Sequence, residues 1–259
     1  MPFPLPCPHQ RTLTEDAVPS QPTHSAEPAR LKGEARRIAD RLAWNLSGQA
    51  IEQESFRIIE AEFGEALARF APAERLVARR LVHASADPSL LGALVFQRDP
   101  VAAGLAALRA GAPLWCDASM IKAGISEARL KSMHPAYRKD AIACYIQDPD
   151  VAASARAAGT TRALACAEKA RPLLDGGVVL VGNAPLALAR IARYILEEGA
   201  RPALVIGMPV GFVNVEESKD LLLQTDAPAI VLAGRRGGST LAVACLHAVI
   251  EAGSLDAGG

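Results

Sequence analysis

The sequence predicts an α/β fold: a three-layer α/β/α domain on a mainly parallel sheet of about five strands, Rossmann-like in layout. Three observations predict it. Short apolar runs recur at Pro113–Cys116, Ala141–Ile146, Val178–Val181, Ala203–Gly207 and Ala229–Ala233. They are continuous rather than alternating, as in strands buried on both faces. Helix-like segments separate them at about 119–131, 151–171, 185–199, 216–223 and 239–252, which is the strand–helix alternation of parallel crossovers.

The chain has 259 residues, and the elements fall in order. Residues 1–30 hold seven of the 18 prolines, with Gln, Ser and Thr between them; that composition reads as an extended or disordered tail. His9 and His24 lie in it, and lone histidines of such a tail are expected to be solvated rather than ligands. Residues 31–46 suit a short basic helix with Leu31, Ala35, Ile38 and Leu42 on one stripe. We therefore divide the chain into a flexible leader, 1–47, and a folded domain, 48–259. The domain opens with helical periodicity through Ile51, Ile58, Ile59, Phe63 and Leu67. A second helix follows Pro72 and stops before Pro88.

Half of the residues are hydrophobic, enough for a sizeable core. The 28 basic and 28 acidic residues cancel, which argues against bulk nucleic-acid binding and against an anionic membrane surface. Only six of the basic residues are lysines. The arginine excess suits bidentate recognition of carboxylates, and GC-rich coding would produce the same bias. The cysteines Cys7, Cys116, Cys144, Cys166 and Cys245 form no C-x-x-C pair and no zinc-like spacing with histidine. They imply a reducing compartment without structural disulfides. With no secretory signal pattern and no apolar run long enough for a bilayer, a cytoplasmic location is expected.

The carboxyl ends of strands are where an open parallel sheet binds ligands. Three ends here are glycine-rich: Gly182-Asn183-Ala184-Pro185, Met208-Pro209-Val210-Gly211-Phe212 and Gly234-Arg235-Arg236-Gly237-Gly238-Ser239-Thr240. Glycines let backbone N–H groups approach a ligand, and a following helix N-terminus favours anions. One such loop is ordinary turn chemistry, with Ser239 or Ser218 capping its helix; three on one edge read as an anion-binding rim. Neither a G-x-G-x-x-G after the first strand nor a phosphate-binding G-x-x-x-x-G-K-[ST] is present, and no G-x-S-x-G elbow occurs.

Among acid–base candidates, His83 follows Leu76 by seven residues, on the inward stripe near a helix C-terminus. The helix dipole favours an imidazolium there; the alternative is a buried packing histidine bonded to a carbonyl. His134 is expected on the surface, His247 as packing or surface, and Glu216–Glu217 at a helix start, where they are a weak general-base candidate.

Five blocks carry a resemblance. They are Val82-His83-Ala84; Cys116-Asp117-Ala118-Ser119-Met120-Ile121; Val181-Gly182-Asn183-Ala184-Pro185-Leu186-Ala187-Leu188; Gly207-Met208-Pro209-Val210-Gly211-Phe212-Val213 with Glu217-Ser218-Lys219; and Gly234-Arg235-Arg236-Gly237-Gly238-Ser239 before an alanine-rich helix. In order, from about Ile51 to about Ile250, they resemble the precorrin-8X and cobalt-precorrin-8 methylmutases of cobalamin biosynthesis. The resemblance implies an isomerase that moves a methyl group from C11 to C12 of precorrin-8X or cobalt-precorrin-8, a polycarboxylate tetrapyrrole. The product would be hydrogenobyrinic acid or its cobalt counterpart. It implies no cofactor and no protein-bound metal, no nucleic-acid or membrane partner, and a homodimer.

It also implies His83 as the catalytic group, protonating a ring nitrogen or holding its proton. Ser55, Arg162, Asn183, Gly211, Phe212, Arg236, Gly237, Gly238 and Ser239 would contact the substrate, with the loop amides and Arg236 holding its carboxylates. Ser55 shares a helix face with Ile51 and Ile59 and so points inward. The chain departs from the pattern at Glu52, where the family often has tyrosine, at Thr160, commonly asparagine, and at His247, usually asparagine. Two rivals stay in view: a non-catalytic corrinoid carrier of the same fold and a nucleotide-binding enzyme.

Overall fold

A computed structural model describes residues 32–253. The proline-rich stretch of the leader lies outside the described residues. Contacts divide the chain after Leu46 into two units. In the first, Gly33–Asp40 forms α1, and the Trp44 indole N–H donates to the Ala39 carbonyl at 2.8 Å.

The second unit begins with α2 (Gly48–Leu67), whose first turn is capped by Ser47, its hydroxyl accepting from the Ala50 N–H at 3.2 Å. α3 (Pro72–Ser85) starts on a proline, with Glu74 accepting from the Ala71 N–H. It ends at Ala86, which takes a left-handed φ of 52°. A short 3-10 turn, Pro88–Ala93, leads into β1 (Leu94–Gln97) and α4 (Pro100–Arg109). β2 (Leu114–Cys116), α5 (Ser119–Gly124), α6 (Glu127–Met133), α7 (Pro149–Ala157) and α8 (Arg162–Lys169) follow. Then come β3 (Val178–Val181), α9 (Pro185–Glu198), β4 (Leu204–Gly207), α10 (Val215–Leu223), β5 (Ala229–Leu232) and α11 (Ser239–Ala252).

The sheet order is β1-β5-β4-β3-β2. β2, β3, β4 and β5 run parallel, and β1 lies antiparallel on β5. β3, β4 and β5 are buried along their whole length, which is why they read as unbroken apolar runs. Successive strand residues feed two cores. Val178, Leu180, Leu204, Ile206 and Ile230 pack with α2, α3, α4 and α11. Val179, Val181, Val205, Ala229 and Val231 pack with α7, α8 and α9. The predicted three-layer α/β architecture with a mainly parallel sheet is therefore found.

Four sequence expectations change. Ala141–Ile146 is not a strand: Ala143 alone bridges Trp115, and the rest of the run crosses the free edge of β2. The fifth strand is instead β1, four residues paired on one side only and half-buried after Leu94, too short and too mixed to show as an apolar run. The segments 119–131 and 151–171 are each two helices, broken at Ile125–Ser126 and Ala158–Thr161, where serine and threonine hydroxyls cap the second member. On α2, Ile51 and Ile58 are exposed at 51% and 42% while Ile59 and Leu67 are buried, so the apolar stripe is narrower than its periodicity suggests.

Candidate active site

α2, α3 and α11 pack together on one face of the sheet and set up the polar centre of the molecule. Ser55 on α2 and His83 on α3 meet, with Oγ and Nδ1 2.8 Å apart. The histidine bonds a hydroxyl rather than the carbonyl of a packing role. Phe56 stands edge-on to the imidazole, centroids 5.2 Å apart, and the Arg79 and Arg80 guanidinium groups lie against that phenyl ring at 4.3 and 5.1 Å. Serine occupies Nδ1 and phenyl the ring edge, and among the described residues nothing hydrogen-bonds Nε2.

An ion-pair network supports this pair from behind. Arg80, 8% exposed, bridges Glu52 on α2, at 2.8 Å, and Glu251 on α11. Arg79 reaches Glu60 and Glu251, and Arg75 reaches Glu60. The hydrogen bond from Arg80 holds the Glu52 carboxyl below the usual glutamate range, against the opposing effect of burial. Glu52 thus serves as an internal ion-pair partner on the helix face that presents Ser55.

A hollow of about 260 Å³ opens beside the pair; Ile58, Ile59, Phe63, Val82, Ala86 and Pro88 form its apolar wall, and Glu62 lines it together with Ser55 and His83. It is below the roughly 300–1,000 Å³ of ordinary ligand pockets.

The three glycine-rich loops form one continuous edge, as their sequence suggested. An alanine Cβ at Gly237 would stand 2.2 Å from the Met208 carbonyl oxygen and 2.6 Å from that of Pro209. One at Gly182 would stand 2.9 Å from Ser239 Cα. The Gly238 N–H donates to Met208 O and the Gly211 N–H to Arg235 O. Ser239 opens α11 at its first helical position behind Gly238, and Ser218 bonds the Val215 carbonyl inside α10, so neither serine caps a helix.

Part of the expected anion-binding capacity is already in use. Asp117, 1% exposed, accepts from the N–H groups of Gly182, Asn183 and Ala184 at 3.0, 2.9 and 2.6 Å. This carboxylate fills the N-terminus of α9 that the sequence reading offered to a ligand. Burial pushes its carboxyl up, and the three N–H donors pull the other way. Arg236 is committed too: its guanidinium donates to Asp87 and Ser89, just beyond the end of α3. That tie joins the last loop to the segment four residues past His83.

Exposed side chains remain on the edge. Phe212 is 84% exposed, with the Arg235 guanidinium 5.7 Å from its ring centre, and Val213 and Asn183 are also exposed. Arg162, by contrast, is the first residue of α8, exposed on the opposite layer; no contact brings it to His83. His134 is half-buried under Gly111 rather than on the surface. His247, half-buried on α11, accepts from the Ser126 N–H at 3.0 Å, and burial, with Arg129 and Arg80, holds it down to about 4. Sequence reasoning gave no role to Asp117 or to Lys219. The only signal for either was its place inside a family-like block.

Among the described residues no three His, Cys, Asp or Glu side chains are grouped to hold a metal ion, and no helix is long and apolar enough to cross a membrane.

The comparisons with known proteins agree among themselves. Residues 50–252 match the family model described as precorrin-8X methylmutase. A cobalt-precorrin-8 methylmutase of Leptospira interrogans is 40% identical over 211 residues, covering 78% of this chain and 93% of that protein. A precorrin-8X methylmutase of a Sinorhizobium species is 39% identical over 208 residues, covering 80% and 95%. The crystal structure of a precorrin-8X methylmutase from Thermus thermophilus superposes with a TM-score of 0.70 at 46% identity, covering 79% of this chain and 95% of that one.

Proposed function

The chain belongs to the precorrin-8X methylmutase family, and from that premise we propose which of its residues move the methyl group. It is an isomerase of cobalamin biosynthesis. The reaction relocates the C11 methyl of the tetrapyrrole to C12 and conserves composition, so it requires no net electrons. The substrate is precorrin-8X or cobalt-precorrin-8; the Leptospira and Sinorhizobium relatives carry one name each at nearly equal identity. Any cobalt would belong to the substrate.

The observation that carries the assignment is the Ser55–His83 contact at the edge of a hollow whose walls, Glu62 apart, are apolar. An imidazolium donating from Nδ1–H to Ser55 Oγ presents Nε2–H outward. Nε2 lends that proton to a ring nitrogen as the methyl group migrates and takes it back afterwards, while Ser55 keeps the Nδ1 proton in place. Proton handling of this kind contributes roughly 100- to 10,000-fold. The rest comes from holding the ring in one reactive shape.

The apolar wall of Ile58, Ile59 and Phe63 takes a ring edge. The loop edge of Gly211, Phe212, Gly237, Gly238 and Ser239 faces the carboxylate periphery, with Asn183 and the uncapped start of α11 as donors. Arg236 acts on the substrate through its tie to Asp87 and Ser89, and Arg162 is left to a peripheral carboxylate. The family match falls inside residues 48–259, to which we assign the reaction. We further take the enzyme to work in the cytoplasm as a homodimer.

The test is turnover. The purified protein should convert precorrin-8X, or cobalt-precorrin-8, to a product of the same mass with a shifted visible spectrum. Tight binding of the product without its formation from either substrate would overturn the reading in favour of a carrier. The methylmutase names of the relatives give the carrier no support.

A further inference from the structure

Lys219 is a buried titratable group that the mechanism above leaves unused. It lies on α10 with none of its surface exposed, the only lysine among the described residues that is buried. Its Nζ donates to the carbonyls of Gly234, at 2.6 Å, and Arg236, at 2.8 Å. Among the described residues no carboxylate lies within 4.0 Å of it. Glu216, one turn earlier, is turned towards Arg235 at 3.3 Å. Burial pulls the ammonium down to about 8.

Removing an ammonium from water with only carbonyl dipoles as partners costs several kcal/mol. A neutral donor would brace the loop without that cost. The charge therefore needs a use, and its position supplies one. It lies under the loop that carries Gly237 and Gly238, opens α11 at Ser239, and reaches the His83 helix through Arg236 and Asp87.

We propose that Lys219 is a positioning residue for the methyl shift, fixing the Gly234–Gly238 loop and lending its positive charge to the edge where a substrate carboxylate docks. The proposal rests on the methylmutase reading and deepens it. Other charges near Lys219 are Glu216 on its own helix, Arg235 and Arg236 on the loop, and Asp87 behind Arg236. β4 and β5 bring no titratable group, and on α9 Arg190 pairs with Glu168 and Arg193 with Glu197.

Charge and bracing separate cleanly. A deprotonated amine keeps two N–H donors, enough for both carbonyls, so raising the pH removes the charge and leaves the bonds. The test is steady-state turnover of the substrate across pH 7–9.5 by the wild type, Lys219→Met and Lys219→Arg, with melting curves alongside. The wild-type KM should rise about tenfold as pH passes through the Lys219 transition, with kcat nearly level. Lys219→Met should start at the high KM and stay flat, and Lys219→Arg should recover part of the difference. A folded Lys219→Met protein with wild-type KM and pH profile overturns the proposal. If that variant does not fold, a wild-type KM that stays flat through the transition overturns it equally. Wild-type turnover with flat KM sinks this inference alone, whereas absent wild-type turnover sinks the methylmutase reading and this inference with it.

Discussion

Gly237→Ala tests whether the three loops behave as one rigid edge. The new methyl would lie 2.2 Å from Met208 O and 2.6 Å from Pro209 O. A carbon settles at about 3.3 Å from a carbonyl oxygen, so the loops must part by about 1 Å. Both obstacles are backbone atoms, and neither can swing aside. A misplacement of about 1 Å costs on the order of 100-fold in rate, and the strain itself costs about 1–3 kcal/mol of stability. At Gly182 the nearest obstacle, Ser239 Cα, is 2.9 Å away; two carbons settle at about 3.5 Å, so the required shift is roughly half as large and the loss should be several-fold. At Gly48, the first residue of α2, nothing lies within 4 Å, so an added methyl meets no obstacle. The assay is kcat/KM with melting temperature for all three variants. The expected order of damage is Gly237, then Gly182, then Gly48 with none. A Gly237→Ala protein as active and as stable as Gly48→Ala would refute the rigid-edge account.

Ser55→Ala removes the hydrogen bond at Nδ1 of His83 and should lower kcat about tenfold, the value of roughly one such bond, with KM little changed in steady-state kinetics. Arg80→Met leaves Glu52 and Glu251 facing one another without their shared cation; because both carboxylates are about one-third exposed, the cost should be nearer 2 kcal/mol than the 3–5 of a fully buried pair, read as the urea midpoint. His247, held down to about 4, stays neutral in the folded protein while the unfolded chain protonates below about 6.5. Its stabilising effect is therefore full above that value and fades as pH falls towards 4. His247→Asn keeps an acceptor for the Ser126 N–H and does not titrate, so its urea midpoint should fall less than the wild type's between pH 7 and 4.5. Parallel acid limbs would contradict this.

The central strands were legible because both of their faces are buried, which leaves an unbroken apolar run. β1 was not, because an edge strand that pairs with β5 alone keeps a mixed composition, and Ala141–Ile146 imitates a buried run while only skirting β2. The glycine loops were legible as a set, since glycine at a strand end reports close backbone approach wherever it occurs. Their ligands were not. Asp117 is three residues past the start of β2 and more than 60 before the amides it holds, and no local pattern announces such a meeting. Arg236 looked like a free cation until Asp87 and Ser89 were seen to hold it. His83 stood out from its helix position, but its partner Ser55 came from the family resemblance, because a contact between two helices leaves no trace in the periodicity of either.

The most direct measurement is a single-turnover comparison of wild type and His83→Ala, with product binding followed by its visible spectrum. The account predicts that His83→Ala binds the product within a few-fold of wild type and converts substrate at least about 100-fold more slowly. Conversion at the wild-type rate would contradict it.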